Sequence, residues 1–77
     1  MNLAYVLLNT EIGKGPEVEK SLQEFKEIIE VYGTYGVYVY IIKVEMQDMN
    51  DLTDIIMNKI RKIENVRSSL TLILTES

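Results

Sequence analysis

Six successive apolar residues at positions 3–8, LAYVLL, constrain the fold of this chain more than any other feature. A strand with one wet face alternates apolar and polar side chains. This one carries Leu3, Tyr5 and Leu7 on one side and Ala4, Val6 and Leu8 on the other. The run at 37–46 repeats the pattern, with Tyr38, Tyr40, Ile42 and Val44 on one face and Val37, Val39 and Ile41 on the opposite one. A sheet built from such strands needs cover on both faces, and a chain of 77 residues has few elements to supply it.

Those elements follow from the spacing of apolar residues. After the first strand, TEIGKGP brings two glycines and the only proline, which mark a turn. Pro16 suits the first turn of a helix, and Glu17 and Glu19 sit near its positive end. Val18, Leu22, Phe25 and Ile29 recur at spacings of four, three and four, which predicts helix one at about residues 16–27. Two strand-like runs come next, 28–34 and 37–46, joined by TYG, where Gly36 supplies the positive φ of a tight hairpin. Asp48 is placed to cap a second helix, whose stripe is Leu52, Ile55, Ile56, Ile60 and Ile63, with Lys59, Arg61 and Lys62 at its negative end. Residues 66–75 form the last strand.

The order β-α-β-β-α-β predicts an α+β, ferredoxin-like sandwich: a four-stranded antiparallel sheet with two helices on one face. One domain over residues 1–77 is the only reasonable count at this length. Two helices bury one sheet face, so the other is an association surface. The sequence therefore predicts a homodimer joined sheet to sheet, with Leu3, Tyr5, Leu7, Val37 and Ile41 as interface candidates. A domain this small buries only about 60% of the surface its unfolded chain exposes, and support from a partner agrees with that. With no cysteine or histidine, neither a disulfide nor a typical zinc site is available as the alternative.

Composition removes several function classes. Twelve acidic against eight basic side chains argue against a phosphate-backbone binder, so no direct nucleic-acid binding is expected. The tyrosines lack the basic, glycine-rich setting of base-stacking RNA modules. The longest apolar run at the N-terminus is too short to span a bilayer and lacks the layout of a signal peptide, which predicts a cytoplasmic protein without membrane contact. Catalysis has no histidine base and no thiolate nucleophile to draw on. Asp48 and Asp51 fit helix capping better than a metal site, and the basic cluster of Lys59, Arg61, Lys62 and Arg67 fits a helix-dipole complement better than an anion patch. No enzyme, cofactor or metal is therefore expected.

With the order of elements fixed, the chain resembles the ligand-binding domain of the Lrp/AsnC family, also called the RAM domain. The opening AYVLLNTEIGKGPEVEKSL is similar to the family's first strand and the turn into helix one. EVYGTYGVYVYIIKVE resembles its hairpin, in which a glycine is followed two residues later by tyrosine and then aspartate. IRKIENVRSSLTLIL resembles its closing segment, with Ser69 and Thr71 at the two hydroxyl positions and Asn65 where glycine is usual.

The resemblance implies a sensing and oligomerisation domain related to transcriptional regulators of amino acid metabolism. It implies dimers through the sheet, assembled in many members into octameric or similar rings, with amino-acid-type effectors bound between dimers. Carried onto this chain, the effector-binding residues are Tyr35, Gly36, Tyr38, Val39, Ser69 and Thr71. Val39 stands where the family usually has aspartate, and an effector's ammonium needs an acceptor. Only Met1 and Asn2 precede the first strand, so the resemblance covers the ligand-binding half and implies no helix-turn-helix. Two alternatives differ in class: an interaction protein that co-assembles with a full-length helix-turn-helix paralogue without an effector, and a small dimeric α+β barrel enzyme. The identity of the effector, the assembly beyond a dimer and the partner regulator are not encoded in any motif of the chain.

Overall fold

The computed structural model describes residues 2–75; Met1, Glu76 and Ser77 lie outside the described residues. The elements follow one another as β1 (Asn2–Thr10), α1 (Gly15–Leu22), β2 (Ile28–Gly33), β3 (Tyr40–Met46), α2 (Met49–Ile55) and β4 (Val66–Ile73). All pairings are antiparallel, and the strand order β2-β3-β1-β4 puts the two most apolar strands in the middle of the sheet. This is the expected split arrangement, with both helices on one side.

The helix-covered face is dry. Ala4, Val6 and Leu8 of β1 and Ile42 and Val44 of β3 are fully buried under Val18 and Leu22 of α1 and Leu52, Ile56 and Ile60 from the second helical region. Each fully buried Val, Leu or Ile side chain among them is worth about 1.5–3 kcal/mol relative to an exposed one. Among the described residues no buried side-chain nitrogen or oxygen lacks a hydrogen-bond partner.

Helix α2 begins as its sequence predicts. The Asp48 carboxylate accepts from the backbone N–H groups of Asn50 at 2.7 Å and Asp51 at 3.3 Å, satisfying donors that the first turn leaves open. The helix continues into a π-helical segment, Ile56–Ile60, in which the Arg61 N–H reaches back five residues to the Ile56 carbonyl at 3.1 Å. The stripe survives the change: Leu52, Ile55, Ile56 and Ile60 are buried, and Ile63 packs against them.

Two element boundaries differ from the sequence expectation. Helix α1 stops at Leu22 rather than near residue 27, and a chain of turns takes over: Phe25 N–H donates to the Leu22 carbonyl at 3.2 Å and Ile28 N–H to the Phe25 carbonyl at 3.1 Å. Phe25 still packs on the core, but from a turn, while Ile29 belongs to β2 and is 47% exposed. The apolar spacing continued past the point where the chain must leave the helix to reach its strand.

Strand β3 begins at Tyr40, not Val37, so the link to β2 is the six-residue loop 34–39 rather than a tight TYG turn. Its base is closed by the Thr34 N–H donating to the Val39 carbonyl at 2.7 Å and by the Thr34 hydroxyl donating to the Tyr38 carbonyl. Gly36 has φ +146°, a value that L-residues rarely adopt. Asn65 has φ +75°, the left-handed conformation that the usual glycine there would take, and its carbonyl accepts from Glu11 N–H at 2.8 Å.

Candidate functional site

The strand register places the other sheet face residue by residue. Leu3, Tyr5 and Leu7 of β1 alternate with the buried core positions, so their side chains take the face without helices, where all three are half-buried. Across the ladder, Leu7 lies beside Ile41 on one side and Leu70 on the other, and Tyr5 lies beside Lys43 and Leu72. Leu70 and Leu72 are 45% and 48% exposed, an unusual state for consecutive same-face leucines. Four of the five interface candidates thus share one surface. Val37 does not: it lies outside β3 in the 34–39 loop, where it is 78% exposed.

The β4 leucines were missed from the sequence, although their spacing of two within 66–75 was the available signal. Three polar neighbours were missed too. Moving from β1 toward β2, the open face changes character: Tyr5 pairs in register with Lys43, and Lys43 with Glu30, while Ile41 pairs with Tyr32. The Lys43 ammonium stands 6.0 Å from the centre of the Tyr5 ring, within reach of a cation–π attraction. The charge of Glu30 holds the Tyr32 hydroxyl above its ordinary pKa.

The residues assigned by resemblance to an effector fall into two groups that one chain does not bring together. Tyr35 is fully exposed at the loop, beside Gly36. At the base of that loop, Val39 N–H donates to the Leu8 carbonyl at 2.9 Å, and the Val39 side chain packs against the core. Ser69 and Thr71 alternate on β4, opposite Leu8 and Val6, and are half-buried at the sheet edge. The fully buried Leu8 and Val6 stand between the two groups. Among the described residues the single chain encloses no pocket.

One polar contact ties the hairpin strand to α1. The Tyr40 hydroxyl donates to a Glu19 carboxylate oxygen at 3.1 Å, and burial, then Glu19, raises the Tyr40 pKa above its ordinary value. A Cβ at Gly15 would lie 3.2 Å from the Tyr40 hydroxyl, so the start of the helix seats directly on this ring. The described residues contain no group of three or more acidic side chains able to hold a metal, and no helix among them is long and apolar enough to cross a membrane.

A four-stranded antiparallel sheet with both helices on one face, an apolar opposite face and a glycine-bearing hairpin loop define a small α+β domain of the ferredoxin-like order. The chain belongs to the Lrp/AsnC ligand binding domain family, whose profile matches residues 3–77. That family is a regulatory ligand-binding domain of transcription regulators and not an enzyme family. Among solved structures, FFRP-DM1 is 37% identical with a TM-score of 0.93, covering 97% of this chain and 100% of its own. The hypothetical protein PHS023 from Pyrococcus horikoshii is 36% identical with a TM-score of 0.89, over 100% of this chain and 93% of its own. AsnC of E. coli is 26% identical with a TM-score of 0.89; the match covers 99% of this chain but only 52% of AsnC. No curated protein is matched by the chain.

Proposed function

We propose that the chain is an effector-responsive assembly domain acting alongside transcriptional regulators, in the cytoplasm and without DNA binding of its own. The observation that carries this reading is the open sheet face, where Leu3, Leu7, Ile41, Leu70 and Leu72 share one surface that no helix covers. A second copy of the chain, apposed sheet to sheet, removes that surface from water. Isologous pairing of this kind is the commonest route to a closed oligomer.

Such dimers then associate through the 34–39 loops and the β4 edges, bringing Tyr35, Gly36 and Tyr38 of one dimer toward Ser69 and Thr71 of another. A glycine backbone admits an effector carboxylate close to N–H groups, and the two hydroxyls donate or accept at its polar end. The effector acts by favouring one assembly over another, since only differential affinity shifts an equilibrium.

The loop also favours a second reading. Residues 34–39 contain no acidic side chain, and Val39 is turned onto the core, so this loop offers an ammonium no carboxylate. An interaction protein that co-assembles with a full-length Lrp/AsnC regulator needs none. Light scattering coupled to size-exclusion chromatography, with each of the common amino acids in turn, separates the readings. The effector reading expects a dimer or larger assembly whose mass distribution shifts with at least one amino acid. An assembly indifferent to all of them leaves the interaction reading, and a monomer indifferent to all of them contradicts the effector reading.

A further inference from the structure

The uncovered sheet face is not uniformly apolar, and its polar residues are placed in a way that bears on which partners it accepts. The β4–β1 half is leucine-rich, but the β3–β2 half carries Lys43 with Glu30 beside it across the ladder and Glu45 two residues along the same face. Lys43 is the one basic side chain among the register-placed residues of that face. Among the described residues the ion pairs reduce to Arg67 with Glu11, at 3.7 Å on the exposed far end of β4. Lys43 therefore has two carboxylates on its own face and pairs with neither. It leans over the Tyr5 ring instead.

Covering this face has an electrostatic consequence. A cation buried without a counter-charge is costly, and truncating one member of a buried charge pair costs more than the pair is worth. A partner that presents an apolar surface alone would strand Lys43 together with the two glutamates. A second copy presents a carboxylate to Lys43 and a lysine to one of the two glutamates, because in an isologous interface every contact of residue i with residue j occurs twice with the roles exchanged. One Lys43–carboxylate contact across a two-fold axis thus satisfies both lysines.

We infer that Lys43, with Glu30 and Glu45, forms a charge code on the sheet face that selects another copy of this chain as the dimer partner. This rests on the sheet-to-sheet dimer proposed above and assigns its specificity. The leucines supply the non-directional attraction, and the code excludes partners by like-charge contact or an unpaired charge. Specificity by repulsion of wrong partners is a general property of paired interfaces.

The test is a charge swap read by sedimentation equilibrium and native mass spectrometry. Lys43→Glu alone, and Glu30→Lys with Glu45→Lys in a second chain, should each self-associate at least about tenfold more weakly than the wild type. An equimolar mixture of the two should form mixed dimers in preference to either self-pair, while the wild type and Lys43→Glu, whose mixed dimer keeps one of the two Lys43–carboxylate contacts, should mix without such a preference. A Lys43→Met chain, neutral and similar in reach, separates folding from pairing: it should keep the wild-type far-UV circular dichroism and pair with less salt dependence. If the wild type dimerises, Leu7→Asp abolishes the dimer, and the swapped chains pair and mix without preference, the code is refuted while the dimer stands. A wild type that is monomeric at all concentrations refutes both.

Discussion

The two faces of this sheet are made from the same strands, with alternate residues of β1 and β3 sent to each, yet they are finished differently. On the helix side Val6 and Ile42, paired in the ladder, are fully buried under α1 and the second helical region. On the other side the neighbouring pair Leu7 and Ile41 is only half-buried, flanked by Leu70 at 45% exposure. In β1 the two sides are nearly equal in apolar content, Leu3, Tyr5 and Leu7 against Ala4, Val6 and Leu8, while in β3 the open side also carries Lys43 and Glu45. What differs is that one face has its cover within the chain, so its apolar content goes into the stability of the fold, whereas the other has no such cover among the described residues and is the face proposed for association.

That contrast is open to direct test. The largest effect is expected on the helix side, where Ile42→Ala should cost about 2–5 kcal/mol in urea unfolding because it removes methylenes from a packed interior and leaves a cavity. Its neighbour Ile41→Ala should cost much less at concentrations where the chain is monomeric, and should show its main effect as a weaker concentration dependence of the midpoint. Equal losses at both positions would erase the distinction between the faces.

A smaller effect sharpens the helix side. Tyr40→Phe removes the hydrogen bond to Glu19 and should cost about 1 kcal/mol at neutral pH. Burial and Glu19 raise the Tyr40 pKa above the ordinary 10.0, so the folded chain holds this proton more tightly than the unfolded one. The resulting stability is fully present below about pH 10 and is lost as pH rises through the raised folded value. Unfolding measured from pH 8 to 11 should therefore fall less steeply for Tyr40→Phe than for the wild type. Some alkaline dependence should remain, because Tyr32 is raised as well.

The parts of this architecture that were legible in the sequence are those fixed by local chemistry. The Asp48 cap and the Leu52–Ile55–Ile56–Ile60 stripe each follow from a short-range requirement, and each is found in place. The uncovered face was legible too, because residues 3–8 leave no polar side to their strand. The end of α1 was not, since Phe25 continues the helical spacing while packing on the core from a turn. The start of β3 was not either: Val37, Tyr38 and Val39 favour strands by type, but the bond between Thr34 and Val39 closes the loop before the ladder begins.

Of the candidate site, the face was readable and the pocket was not. Tyr35 and Gly36 on the loop and Ser69 and Thr71 on β4 are separated within the chain by Leu8 and Val6. The effector site proposed between copies would draw on both, and such a site leaves no periodicity in one chain. The charge code of Lys43, Glu30 and Glu45 was hidden for a related reason: it appears only when the register puts three residues from two strands on the same face.

The central claim is that the helix-free face is an association surface, and its most direct test is the molar mass of the wild type beside that of Leu7→Asp across a wide concentration range. The account predicts twice the chain mass for the wild type at micromolar concentration, and the monomer mass with unchanged far-UV circular dichroism for Leu7→Asp. A wild type that keeps the monomer mass at every concentration, or a Leu7→Asp chain that dimerises as well as the wild type, would contradict it.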